Sequence, residues 1–127
     1  MSATSTLLRV LISDDDPMIR DALREVLDAE PDIDVVGVAA DADEAIALAA
    51  RHAPAVVVLD VRMPGGGGPR AAREILGRAP GTRILAFSAY DDSGTVAEMT
   101  RAGIAEYLLK GASNIEIVAA VRRAGTQ

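Results

Sequence analysis

The stretch that decides the fold runs Ala55-Val56-Val57-Val58-Leu59-Asp60-Val61-Arg62-Met63-Pro64 and continues into four glycines at positions 65 to 68. Its first five residues are apolar and mostly β-branched, which predicts a strand buried on both faces. Asp60 then lies at the carboxyl end of that strand, the edge at which open parallel α/β sheets bind ligands. Taken alone, Asp60 could equally be a residue that caps the next turn or one that binds a ligand. Its function therefore depends on what else reaches this edge.

Composition limits the classes of protein to consider. A chain of 127 residues has the size of one domain, and we expect a single domain over residues 1–127. It has no cysteine, which excludes disulfides and thiolate metal sites. The apolar runs are too short for a membrane span, and the first six residues do not resemble a secretory signal, so we expect a cytoplasmic protein. A net charge of −6 disfavours direct binding to nucleic acid or anionic membranes.

Strand and helix patterns alternate along the whole chain. The predicted strands cover residues 7–12, 33–39, 55–59, 83–88 and 106–109. The predicted helices run from Pro17 to Ala29, from the Asp41 cap to about Arg51, from Pro69 to Leu76, from Asp92 to about Ala102, and from the Ser113 cap nearly to Gln127. This repeat predicts a parallel sheet with right-handed crossovers and helices on both faces. The expected fold is a doubly wound, flavodoxin-like (βα)5 domain with strand order 2-1-3-4-5.

Polar residues follow several of these strands at the same edge of the sheet. Asp14 and Asp15 come after strand 1, Asp60 after strand 3, and Ser88 and Lys110 after strands 4 and 5. Three carboxylates in one crevice repel each other unless a cation is present. Oxygen ligands without histidine or cysteine favour a hard ion such as Mg²⁺, while a lysine and a hydroxyl suit phosphate oxygens. The pattern predicts a Mg²⁺ site for phosphoryl chemistry.

The same residues carry a resemblance to the receiver domain of two-component response regulators. The matching segments are Asp14-Asp15, Leu59-Asp60-Val61-Arg62-Met63-Pro64, Phe87-Ser88-Ala89-Tyr90, and Tyr107-Leu108-Leu109-Lys110-Gly111-Ala112-Ser113. The resemblance covers nearly the whole chain. The opening of the chain and the segment Tyr107-Leu108-Leu109-Lys110-Gly111 are most similar to the NarL/FixJ-like branch, whose members usually carry a helix-turn-helix module and regulate transcription.

The resemblance implies a phosphoacceptor and a metal site. Asp60 would take a phosphoryl group from a sensor histidine kinase. Asp15, Asp60 and the carbonyl of Arg62 would bind Mg²⁺, with Asp14 as a water-mediated acidic partner. Such a domain assists its own phosphotransfer and dephosphorylation and is not a stand-alone enzyme.

The resemblance also implies a switch. Ser88 and Lys110 would contact the phosphoryl oxygens, and Tyr107 would be the aromatic residue whose rotamer follows the phosphorylation state. One departure is Gly111, which stands where many receivers have a proline after the lysine.

Three other classes of protein share part of this pattern. An aspartate-nucleophile phosphatase characteristically has a second aspartate two residues after the first, where this chain has Arg62. A dinucleotide-binding module needs glycines after strand 1, where this chain has aspartates that would repel a pyrophosphate. The remaining alternative is a receiver-like docking domain that is never phosphorylated.

The first and fifth helices share one face in the predicted topology, which suggests an exposed apolar patch and a weak homodimer through these helices. On the first helix, Met18 and Leu27 are expected to flank the buried residues. On the fifth helix, the residues expected to face the sheet are Ile115, Val118 and Ala119, and those expected to flank them are Ile117 and Val121.

Overall fold

A computed structural model describes residues 7–126, so the six residues before them and Gln127 lie outside the described part. The strands are β1 (Leu8–Ser13), β2 (Ile33–Ala39), β3 (Val56–Asp60), β4 (Arg83–Ser88) and β5 (Glu106–Leu109). The helices are α1 (Pro17–Asp28), α2 (Ala42–His52), α3 (Gly67–Arg78), α4 (Ser93–Arg101) and α5 (Asn114–Gly125). All strand pairs are parallel, in the order β2-β1-β3-β4-β5. The predicted fold class and strand order are confirmed.

Strand β3 is the centre of the core, and all five of its residues are buried. Val57 and Leu59 pack against α2 and α3 on one face, while Val56 and Val58 pack against α1 and α5 on the other. The two faces follow from the alternation of side chains along a strand. The first four residues of β3 are apolar, and Asp60, its one polar residue, lies at the carboxyl edge of the sheet. Within residues 7–126, no helix has the length and apolar character needed to cross a membrane.

Local capping signals set the starts of four helices. The caps are Asp16 for α1, Asp41 for α2, Asp92 for α4 and Ser113 for α5, and each side chain accepts a hydrogen bond from a backbone N–H in the first turn. Ser113 and Glu116 form a reciprocal capping box. These bonds satisfy backbone donors that have no partner within the helix. The four starts therefore agree with the sequence prediction to within about one residue.

Helix α3 begins at Gly67, two residues before the predicted start at Pro69. Gly65, Gly66 and Gly67 have φ of +88°, +96° and +73°, which turns the loop back on the end of β3. The backbone N–H of Gly68 then donates to the carbonyl of Val61 at 2.7 Å. Proline is tolerated at the third helical position because the first-turn N–H groups have no partner within the helix. The prediction placed the helix start too late because it relied on proline alone.

The exposed residues of α1 and α5 differ from the prediction. Ile117 and Val121 are buried against the sheet, whereas Ile115 is 83 % exposed. On α1, Leu27 is buried and Met18 is 79 % exposed. The buried positions of α5 are 117, 118, 120, 121 and 124, which together form one helical face. The predicted orientation of Ile115, Ile117, Val121 and Leu27 was wrong, because a helix with apolar residues on most sides leaves the choice of face to its packing.

We predict that Gly68→Ala destabilises the protein, because the added Cβ would lie 2.7 Å from Val61 Cα and 2.9 Å from the Asp60 carbonyl oxygen. Overpacking against backbone typically costs about 1 to 3 kcal/mol, measurable by urea unfolding. The matched control is Gly77→Ala on the same helix, where nothing lies within 4 Å of the new Cβ. It should stabilise the protein by up to about 1 kcal/mol. Equal effects of the two substitutions would contradict this packing.

Candidate functional site

An acidic cluster lies at the carboxyl edge of the sheet, between the adjacent strands β1 and β3. Carboxylate oxygens of Asp14, Asp15 and Asp60 all lie within 4.8 Å of one another. Asp14 and Asp60 are only 1 % and 5 % exposed, whereas Asp15 is exposed. The winding of the sheet reverses between β1 and β3, so this is the crevice at which the fold binds ligands.

Lys110 brings a positive charge into this cluster from the end of β5. Its Nζ lies 2.8 Å from Asp14 Oδ2 and 3.3 Å from Asp60 Oδ1. Burial alone would lower the pKa of the ammonium, but its contacts with the two aspartates outweigh that effect and raise the pKa. The backbone N–H of Lys110 also donates to the Ser88 carbonyl, which ties the ends of β4 and β5 together. Lys110 is therefore charged at neutral pH and held in place.

One lysine does not fully compensate the buried carboxylates. Burial, and then the charge of Asp14, raise the pKa of Asp60 to about 6, although Lys110 and the N–H of Arg62 act in the opposite direction. The negative charge that Lys110 leaves uncompensated favours the binding of a further cation at this cluster. Oxygen donors this close together, with no sulfur or nitrogen ligand among them, fit a hard divalent ion that keeps some of its water. The residues present therefore fit Mg²⁺. The carbonyl of Arg62, in the loop that follows Asp60, is a further oxygen donor near this cluster.

Ser88 and Tyr107 meet at a third residue, Tyr90. The Ser88 side chain is 1 % exposed, and its Oγ accepts a hydrogen bond from the N–H of Tyr90 at 3.0 Å. The half-buried Tyr107 donates its hydroxyl hydrogen to the carbonyl oxygen of Tyr90. Ser88 ends β4 next to the end of β3, since Phe87 pairs with Asp60. The structure thus places Ser88 and Tyr107 in one hydrogen-bonded chain beside the acidic cluster.

Sequence reasoning missed two residues of this region. Tyr90 was not singled out, yet its ring also contacts the Arg62 guanidinium, with the Arg62 Cζ 4.0 Å from the ring centroid. Arg20 was likewise missed, although it donates to the carbonyl oxygen of Asp14 at 2.9 Å. The sequence did contain a signal for the contact of Tyr90 with Arg62. Arg62 follows Asp60 by two residues and Tyr90 follows Ser88 by two residues, so both lie in loops that leave neighbouring strands at the same edge.

The fold and the acidic edge define a class of signalling domain, and comparison with known proteins identifies it. Residues 10–122 match the model of the response regulator receiver domain, and the chain belongs to that family. It is 38 % identical to the transcriptional regulatory protein YxjL of Bacillus subtilis over 92 % of this chain and 54 % of that protein. It is 34 % identical to the DNA-binding transcriptional activator DevR/DosR of Mycobacterium tuberculosis over 94 % of this chain and 55 % of that protein. The chain spans about half the length of these relatives.

Solved structures give the same result. The signal receiver domain of the response regulator NarL from Mycobacterium tuberculosis superposes with a TM-score of 0.91 at 35 % identity, covering 94 % of this chain and 97 % of that one. The response regulator domain of Thermotoga maritima CheB gives a TM-score of 0.87 at 29 % identity, covering 95 % and 98 %. The predicted relationship to receiver domains of the NarL-like branch is confirmed.

We predict that Asp60 destabilises the metal-free protein above pH 6. Because its folded pKa is near 6 and its unfolded pKa near 3.9, the folded state holds more protons between these values, so stability falls as pH rises from about 4 to about 6. Asp60→Asn removes this titration and should raise the unfolding free energy at pH 7 by about 2 to 3 kcal/mol, with no gain below pH 4. Urea unfolding in chelator at both pH values measures the difference. A gain independent of pH would contradict it.

Proposed function

We propose that residues 1–127 are a single receiver domain in which Asp60 accepts a phosphoryl group from a sensor histidine kinase. The observation that carries this proposal is the buried Asp60 carboxylate, which lies 3.3 Å from Lys110 Nζ and within 4.8 Å of the other two aspartates. A carboxylate used only as a cap needs neither a partly buried lysine nor two further acids beside it. The family of the chain and the names of its relatives support the same conclusion.

In the proposed reaction, an oxygen of ionised Asp60 attacks the phosphorus of a phosphohistidine. A phosphorus–oxygen bond forms and the phosphorus–nitrogen bond breaks, with its electron pair left on the imidazole nitrogen. Lys110, and the Ser88 hydroxyl once it has turned inward, contact the phosphoryl oxygens and stabilise the charge that develops on them. Mg²⁺, held by Asp15, Asp60 and the Arg62 carbonyl, would neutralise further charge when bound, with Asp14 acting through water. The domain promotes its own phosphotransfer and is not a stand-alone enzyme.

Phosphorylation then changes a hydrogen-bonded chain. Turning the Ser88 hydroxyl toward the phosphoryl group breaks or weakens its bond with the Tyr90 N–H. Since Tyr107 is bonded to the carbonyl of the same residue, its position depends on the same equilibrium. The covalent group biases a two-state element and shifts its populations.

We propose that the output of this receiver is the control of transcription. Several relatives are named as transcriptional regulators, and they are about twice as long as the aligned region. With its net charge of −6, this chain has little attraction for DNA. We therefore propose that it works in the cytoplasm and controls transcription through a DNA-binding module that belongs to the whole protein or to a partner.

A second copy of the chain is the proposed partner for the face formed by α1 and α5. These helices line a groove of about 650 Å³, whose apolar residues include Val26, Val118 and the exposed Ile115. Glu25 and Arg122 lie at the edge of this apolar surface, and Arg122 is paired with Glu30 and Asp32 of its own chain. Isologous pairing is the commonest way for a protein to cover such a patch.

The phosphoacceptor prediction compares wild-type protein with Asp60→Asn after incubation with acetyl phosphate and Mg²⁺. Wild-type mass should rise by one phosphoryl group, and Asp60→Asn should show no rise because the amide is a poor nucleophile. Asp21→Asn on the exposed side of α1 is the charge-matched control and should react as wild type does. Lys110→Arg should react more slowly, since a planar guanidinium replaces a compact ammonium. A wild-type chain that stays unlabelled would favour the docking-domain alternative.

The dimer prediction concerns Ile115→Glu. By sedimentation, we expect the wild-type chain to form a weak dimer that becomes stronger on phosphorylation. The Ile115→Glu variant should be monomeric and should still accept a phosphoryl group on Asp60. Leu7→Glu, an exposed apolar residue just before β1, is the matched control and should leave the dimer intact. Ile117→Glu should instead destabilise the fold, because this side chain is buried in the core. A wild-type chain that remains monomeric at high concentration in both states would rule out the dimer.

A further inference from the structure

Arg20, in the first turn of α1, reaches back to the loop that carries the acid pair. Its guanidinium donates to the carbonyl oxygen of Asp14 at 2.9 Å, and the side chain is half-buried. A positive charge near the N-terminal end of a helix is unfavourable, because the helix dipole places partial positive charge there. The hydrogen bond to Asp14 offsets this cost. The contact is therefore the interaction that accounts for an arginine at this position.

The bond from Arg20 completes a set of contacts that involves every polar group of Asp14. The N–H of Asp14 donates to the carbonyl of Ala39 at 3.1 Å. One carboxylate oxygen accepts from the N–H of Asp16 at 2.9 Å, and the other lies 2.8 Å from Lys110 Nζ. The carbonyl oxygen is the remaining group, and Arg20 supplies its donor. The direction of this carbonyl therefore depends on an arginine that is absent from the acidic cluster itself.

The direction of the Asp14 carbonyl also affects the next residue. The carbonyl of Asp14 and the N–H of Asp15 belong to one planar trans peptide and point in opposite directions, so fixing one fixes the other. The Asp15 side chain is exposed, and packing confines it little. Its carboxylate nevertheless lies within 4.8 Å of those of Asp14 and Asp60. That approach depends on the backbone that Arg20 holds.

We propose that Arg20 is a positioning residue for the metal site, which holds the peptide between Asp14 and Asp15 and so directs the Asp15 carboxylate into the acidic cluster. This inference rests on the Mg²⁺ site of the proposed function. A guanidinium has no acceptor atom and is not a ligand for a cation. Arg20 therefore acts on metal binding only through the backbone it contacts or through its charge.

These two effects of Arg20 on a bound cation have opposite signs. Its positive charge repels Mg²⁺, so removing the charge alone would strengthen metal binding. Removing the hydrogen bond would weaken metal binding, because the Asp15 carboxylate would then spend less time directed at the cluster. Loss of a group that orients a metal ligand typically weakens binding by about tenfold to a hundredfold. We therefore expect a net loss of affinity of about tenfold, at the lower end of that range.

The experiment measures the dissociation constant of Mg²⁺ by isothermal titration, and that of Mn²⁺, which takes similar oxygen ligands, by EPR of the free ion. Arg20→Met removes both donor and charge and should weaken binding of both ions about tenfold. Arg20→Lys keeps the charge but replaces the planar donor, and should weaken binding about twofold to fivefold. Arg24→Met is the matched control, since Arg24 lies one turn further along α1 and pairs only 3.5 Å from Asp28 at the surface. It should stay within about twofold of wild type.

A double-mutant cycle tests whether Arg20 acts through Asp15. Asp15→Asn should itself weaken binding of both ions, because it replaces a charged ligand by a neutral one. If Arg20 only directs the Asp15 carboxylate, adding Arg20→Met to Asp15→Asn should change the dissociation constant by less than about twofold. Far-UV circular dichroism establishes that each variant is folded, and Arg20→Lys decides the question if Arg20→Met is not.

Each outcome has a distinct meaning. If wild type binds neither ion, the proposed metal site fails and this inference fails with it. If wild type binds both ions and the folded Arg20 variants bind them as tightly or more tightly, this inference alone fails and the proposed function stands. An Arg24→Met variant as weak as Arg20→Met would also overturn it, as would multiplicative effects of Arg20→Met and Asp15→Asn, because neither follows from a contact that orients Asp15.

Discussion

The constraint on which this structure depends is the burial of two carboxylates, Asp14 and Asp60, with a single lysine between them. Placing a carboxylate in a low-dielectric environment is unfavourable unless opposite charge lies close by. Lys110 contacts both groups, yet the pKa of Asp60 still rises to about 6, so the compensation is incomplete. Excess negative charge of this kind favours an added cation, which is the physical basis of the Mg²⁺ and phosphoryl chemistry proposed for the site.

Short-range backbone contacts hold the loops around this site. Asp14 accepts a hydrogen bond from the N–H of Asp16, whose own side chain caps α1. On the other side, the close approach of Gly68 to Val61 sets the path of the loop after β3. These contacts fix the ends of β1 and β3, and with them the distance between Asp14 and Asp60. The geometry of the acidic cluster is therefore a consequence of helix starts that have no direct part in the chemistry.

A second level of organisation connects the site to the surface. Ser88 and Tyr107 bond the N–H and the carbonyl of Tyr90, and the Tyr90 ring contacts Arg62. These residues come from β4, β5 and the loops after β3 and β4, so the contacts link the ends of three neighbouring strands. The proposed population shift requires a second arrangement of these hydrogen bonds, in which the Ser88 hydroxyl faces the acidic cluster. The α1–α5 face proposed for pairing does not include these four residues.

The sequence by itself determined the (βα)5 order, the buried strand β3 and the convergence of Asp14, Asp15, Asp60, Ser88 and Lys110 on one edge, because side-chain periodicity and strand direction are local properties. It also determined four helix starts, since a capping side chain bonds backbone only a few residues away. Only the tertiary structure decided where α3 begins, which face of α5 is buried and that Tyr90 joins Ser88, Tyr107 and Arg62. Each of these depends on packing between elements distant in the chain, and a local pattern leaves several such arrangements equally acceptable.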